Sequence, residues 1–162
     1  MKKISIIFAV SMLISLRVYG SETELEWQSK GKTYSTSIED EFLYDEKVLN
    51  LYATTILDPI VMTEEGSVLN IIVPEGSDQV LILSPLIIAN TLNIIGKNAM
   101  ADSQIYTKNF GVYLTGEFTV AGTLEADKSH VVGARMNCEK SKRRSNLQKP
   151  KTRVSAIKNN EE

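Results

Sequence analysis

From Val61 onward the chain is written in apolar runs of three to six residues, each closed within a residue or two by Gly, Asn, Asp or Ser. Segments 68–73, 80–83, 86–89 and 92–95 are rich in β-branched residues, and so are 105–107, 112–115, 118–120 and 130–132. Runs this short, closed this often, are strands and not helices, because a branched Cβ fits a pleated surface better than a helical one. They also lie closer together than the roughly 8–12 residues usual in β-sandwiches. The pattern predicts an all-β domain.

The runs resemble one another. Leu92-Asn-Ile-Ile-Gly-Lys97 lines up with Val112-Tyr-Leu-Thr-Gly-Glu117 at an offset of 20, and Leu86-Ile-Ile-Ala-Asn90 with Ile105-Tyr-Thr-Lys-Asn109 at 19. Met100-Ala-Asp-Ser103 lines up with Glu125-Ala-Asp-Lys128 at 25. An irregular period of 20–25 built on an apolar-x-apolar-x-Gly unit predicts coils of a β-solenoid that turn corners at Gly, Asn or Asp. No such coil buries its inward face alone, so stacked coils must share one apolar column. Leu92, Ile94, Val112, Leu114, Phe118, Val120 and Leu124 are the expected inward positions. Segment 61–134 has room for about three to four coils. The alternative architecture is an antiparallel β-sandwich.

Thr91-Leu-Asn-Ile-Ile-Gly96, together with 112–127, resembles the repeats of filamentous-haemagglutinin-type adhesins over about 50 residues, 86–134. The resemblance implies a right-handed parallel β-helix in an exported bacterial protein that works through its faces. The Asn-Pro-Asn-type motifs of the secretion domain in such adhesins do not occur in this chain.

The ends of the chain differ from its middle. Lys2 and Lys3 precede the apolar run 4–16, and Val18-Tyr19-Gly20 puts small aliphatic and glycine side chains where signal peptidase requires them. Residues 1–20 therefore read as a signal peptide of bacterial type, cleaved between Gly20 and Ser21. The run falls short of the about 20 apolar residues that span a bilayer, so no transmembrane helix is expected after cleavage. Residues 21–60 are expected to form an N-terminal cap. Ser37-Ile-Glu-Asp40 suggests a capping box, and the spacing of Ile38, Phe42, Leu49 and Tyr52 suggests a short helix over 38–51.

Charge divides the chain further. Segment 21–134 holds 6 basic and 17 acidic residues, net −11, whereas 135–162 holds 9 and 3, net +6. The second segment, polar and basic, reads as a disordered tail. Lys140, Lys142, Arg143, Arg144, Lys149, Lys151 and Arg153 form its candidate anion-binding cluster. Without interleaved aromatic residues it has no base-stacking platform, so nucleic acid is not an expected partner. Either the chain ends natively in this tail or it is a truncated piece of a longer repeat protein. In both cases an open C-terminal coil invites self-association.

Little in the sequence points to catalysis. One Cys (Cys138) and one His (His130) exclude disulfide frameworks and paired-ligand metal sites, and no phosphate-cradling glycine loop is present. Ser129 and His130 are adjacent on a strand, and adjacent side chains point to opposite faces, so they make no nucleophile–base pair. Asp102 and Asp127 are candidate stacked carboxylates at successive corners, with turn-forming as their plainer role. Trp27 and the tyrosines read as cap or core aromatics. No catalytic residue, cofactor or metal is expected. The sequence reads as an exported, adhesin-like or structural β-solenoid that meets a host-surface glycan or protein. A small secreted or periplasmic ligand-binding sandwich and a carbohydrate-active enzyme fragment are the alternatives.

Overall fold

The computed structural model describes residues 3–8, 12–19 and 21–138. Strands β1 (Lys3–Phe8), β2 (Met12–Tyr19), β3 (Glu22–Ser29) and β4 (Lys32–Glu39) pair antiparallel in chain order. A 3-10 turn at Asp40–Phe42 then leads into a stack in which every strand pairing is parallel. This stack is a β-solenoid of about five turns, which excludes the antiparallel sandwich.

The stack begins with β5 (Leu43–Tyr44), β6 (Val48–Tyr52), β7 (Thr55–Ile56), β8 (Ile60–Met62), β9 (Val68–Ile72) and β10 (Gln79–Ile82). Three long strands follow, β11 (Ile87–Gly96), β12 (Asn98–Leu114) and β13 (Glu117–Val132), and β14 (Arg135–Cys138) ends it. The long strands turn corners without a break, so each serves two or three sheets. Sheet I stacks β5, β8 and segments 87–89, 105–107 and 124–126. Sheet II stacks β6, β9 and segments 91–95, 109–113 and 128–132. Sheet III stacks β7, β10, segments 98–101 and 117–120, and β14.

The stack thus runs from Leu43 to Cys138, beyond both ends of the expected 61–134, and holds more than three to four coils. The extra coil comes from 43–56, which overlaps the helix expected over 38–51. Leu49 and Leu51 turn inward at a spacing of two and Ser37 caps no helix; its hydroxyl instead donates to Glu22 Oε2 at 3.4 Å. Burial of a two-residue alternation against the next coil outweighs a weak local helix signal.

Register also departs from the expected alignment. Leu92 lies beside Phe110 and Ile94 beside Val112, an offset of 18 in place of 20. Because the difference is even, the same side chains still face inward. Leu92, Ile94, Val112 and Phe118 are fully buried, Leu114 and Val120 nearly so, and Leu124 packs partly buried against them. The coils are uneven because the second is enlarged by turns at 63–67, 74–78 and 83–86, so Val61 pairs with Ile88, 27 residues on. Gly122 marks a corner that demands glycine: its φ is +77°, and a Cβ there would stand 2.5 Å from the carbonyl oxygen of Ser103.

Residues 21–39 do not join the coils. The β3–β4 hairpin lays Leu25, Trp27 and Ile38 against Val61, Leu86, Ile88 and Tyr106, all buried on the outer side of sheet I and its adjoining corner.

Candidate binding face

The three outer faces of the solenoid differ. That of sheet I lies under the hairpin. There Trp27 stacks on Tyr34 at 5.5 Å and meets Tyr106 edge-on at 5.3 Å, and Tyr34 donates to Glu125 Oε1 at 3.2 Å. Burial and the neighbouring carboxylate hold the Tyr34 hydroxyl above the usual tyrosine range. The Tyr106 hydroxyl is raised further, by burial first and then by Tyr34 and Glu125. The outer side of sheet III is edged by ion pairs, Lys97–Asp78 at 2.9 Å and Arg135–Glu117 at 3.6 Å. Hydrogen bonding from Lys97 holds the Asp78 carboxyl below its usual range.

The outer side of sheet II is open and chemically distinct. Register places its side chains in three columns. The middle column runs Asn50, Asn70, Asn93, Gly111, His130. Asn93 donates to Asn70 at 2.9 Å and Asn70 to Asn50 at 2.8 Å, so the amides form a ladder across three coils. At Gly111 the ladder stops. A Cβ there would stand 2.5 Å from Asn93 Oδ1 and 2.8 Å from the Tyr113 ring, so glycine makes room for both. Tyr113 in turn approaches the His130 ring at 6.0 Å.

Beside the amides runs an apolar column of Tyr52, Ile72, Ile95, Tyr113 and Val132. Tyr52 is 69% exposed, Val132 47% and Tyr113 41%. The third column passes from Val48 and Val68 to Thr91, Asn109 and Lys128. None of these fifteen outward positions is acidic, in a body of net −11. Exposed apolar columns on a flat face free of like charge are features of interaction surfaces.

A groove of about 340 Å³ runs along β4, lined by Tyr34, Thr36, Ser37, Pro59, Pro85 and Gln104 among others. It is hydroxyl-rich, and of its two rings Trp27 is buried and stacked on the half-buried Tyr34.

The residues singled out by sequence scatter. Asp102 lies opposite Ala121 at the corner between sheets III and I, and Asp127 sits at the corner between sheets I and II, so the two carboxylates do not stack. The expected offset of 25 misaligned them, since Met100 pairs with Thr119. Ser129 faces inward under Phe110 while His130 faces out beside Gly111. Trp27 is a core aromatic of the hairpin contact. Ser21 is exposed, and its carbonyl accepts from the Asp40 amide at 2.9 Å. Gly20 and the tail cations Lys140, Lys142, Arg143, Arg144, Lys149, Lys151 and Arg153 lie outside the described residues. No group of three or more metal-ligating side chains occurs among the described residues, and no helix there is long and apolar enough to cross a membrane. The amide ladder was missed, although Leu-Asn-Leu51, Leu-Asn-Ile71 and Leu-Asn-Ile94 announce it.

No family model matches the chain, and comparisons with curated proteins and with solved structures give no match either.

Proposed function

We propose that the chain is an exported, adhesin-like β-solenoid of the filamentous-haemagglutinin type, without catalytic activity, that binds a host-surface glycan through the outer face of sheet II. The observation that carries this reading is the acid-free face with Tyr52 and Tyr113 standing beside the amide ladder. Tyrosine offers an apolar ring with a polar tip, and side-chain amides both donate and accept, which suits the C–H faces and hydroxyl edges of sugars. Export rests on the first twenty residues acting as a leader cut between Gly20 and Ser21. Of the residue pairs weighed for chemistry, Asp102 is separated from Asp127, and Ser129 and His130 face opposite sides of the strand.

A glycan array probed with the full chain and with the Tyr52→Ala/Tyr113→Ala double variant tests the reading. Selective retention that disappears in the double variant, with an unchanged melting temperature, supports it. Failure to retain any glycan, or retention indifferent to the two rings, overturns it.

A further inference from the structure

The groove beside β4 runs along an open strand edge. β4 ends the order β1-β2-β3-β4, so among the described residues no strand pairs with its far side. The two-residue turn at Lys30 and Gly31, with φ of +50° and +79°, makes Ser29 and Lys32 a hydrogen-bonded pair. Alternation then commits the backbone groups of Lys32, Tyr34, Thr36 and Ile38 to β3. The Asp40 amide keeps the same phase, donating to Ser21 at 2.9 Å. Thr33, Ser35 and Ser37 therefore direct their N–H and C=O groups to the free edge. There the Ser37 carbonyl accepts from the Thr36 hydroxyl at a long 3.5 Å.

Free edges are usually blunted by a charge, a proline or a bulge. Between Lys32 and Glu39 this one has none of these, and its register with β3 is unbroken. Pro59, Pro85, Leu86 and Gln104 of the solenoid form the opposite wall of the groove. The two prolines bring no amide of their own to it. The volume of about 340 Å³ falls within the roughly 300–1,000 Å³ of ligand sites.

A second copy of the chain does not fit this edge. Two hairpins joined at β4 about a two-fold axis would hold both solenoids on one side of the shared sheet. Each solenoid already reaches past β4 to line the groove, so the two would collide. An isolated extended strand meets no such obstacle.

Charge marks the ends of the edge. Lys30 and Lys32 stand exposed at its start, and Glu39 and Glu41 at its finish. Hydrogen bonding and repulsion from Glu41 hold the Glu39 carboxyl above its usual range, a repulsion that an incoming cation relieves. A strand laid antiparallel to β4 brings its first residue to Glu39 and its last to Lys32. Its residues opposite Tyr34, Thr36 and Ile38 share the side on which Tyr34 and Ile38 pack against the solenoid, so apolar side chains suit them.

We infer that the β4 edge docks an extended segment of a partner protein as an added antiparallel strand, basic at its start, apolar at alternate positions and acidic at its end. Main-chain bonds to Thr33, Ser35 and Ser37 supply affinity, and the proline wall and charged ends supply selectivity. The site is separate from the face of sheet II and rests neither on glycan binding nor on export.

The test uses the full chain and a capped eight-residue peptide: lysine first, valine and threonine alternating three times, glutamate last. In the antiparallel register its valines fall opposite Ile38, Thr36 and Tyr34. Titration followed by the fluorescence of Trp27, the single tryptophan and a groove residue, should saturate. Hydrogen exchange by NMR should show the Ser35 and Ser37 amides protected by the peptide. N-methylation of the threonine opposite Ser35 removes a main-chain donor and should weaken binding about tenfold. N-methylation of the valine opposite Thr36, whose amide points away from β4, should leave binding unchanged. Ser35→Pro removes an edge amide, and Glu39→Lys repels the leading lysine. Each should weaken binding with an unchanged melting temperature, and Glu39→Lys keeps the test valid if Ser35→Pro misfolds. Three results would overturn the inference: no saturable binding, equal losses for the two N-methylated peptides, or Ser35 and Ser37 amides already protected in the peptide-free chain by a second copy or another segment.

Discussion

The side-chain amide of Asn93 donates to Asn70 Oδ1 at 2.9 Å, joining residues 23 apart in the chain. Asn70 passes the pattern on to Asn50. Replacing the middle rung by Asn70→Leu removes both bonds while leaving an apolar side chain on the face. The groups released are partly exposed and recover water, so the expected loss is about 1 kcal/mol. Asn50→Leu, which removes one bond, should cost roughly half as much. Urea unfolding of the three proteins checks the order.

Phe110 is 2% exposed, and its ring centroid lies 5.7 Å from that of Phe118 across the interior. Phe110→Ala leaves a cavity between two coils that the flanking sheets cannot close. It should cost about 3–5 kcal/mol and lower the unfolding midpoint accordingly. Tyr52→Ala, at 69% exposure, should leave that midpoint almost unchanged.

Gly122 and Gly31 both have positive φ, +77° and +79°, but only Gly122 is crowded. Gly31→Ala meets open space and bears backbone strain alone, on the order of 1 kcal/mol. Gly122→Ala adds a clash with the Ser103 carbonyl, which belongs to the ladder and cannot swing away. It should therefore be the more damaging of the two by thermal unfolding.

Tyr34 and Tyr106 ionise late because burial and Glu125 disfavour their anions. A group whose pKa is raised by folding contributes stability that is complete below its unfolded value, about 10 for tyrosine. That contribution fades as pH climbs through the folded value. Stability should thus fall on the alkaline side above pH about 10, as unfolded tyrosines ionise first. Tyr44 is held up as well, by burial and then by Asp58, Glu46 and Glu41, so ultraviolet titration should show three tyrosines lagging the others, and Glu125→Gln should shorten the lag of Tyr34 and Tyr106 by removing the like charge. Equal titration of all tyrosines would contradict the assignment.

The sequence by itself determined that 61–134 is made of strands and that Leu92, Ile94, Val112, Leu114, Phe118 and Val120 face inward. Side-chain alternation is a property of the local backbone, so an alignment wrong by two residues still assigns the right face. Register, coil number and neighbours were not local. The offset of 18 between Leu92 and Phe110 depends on how many residues each corner consumes, and the first coil exists because Leu49 and Leu51 find Leu69 and Ile71 beside them. Ile88 and Tyr106 alternate outward like Asn93, yet they are buried, because a hairpin more than 40 residues earlier in the chain covers them. The same long-range placement separated Asp102 from Asp127, which differ by 25 residues but sit at different corners. Local pattern fixes which way a side chain points; only packing between distant coils decides what it meets there.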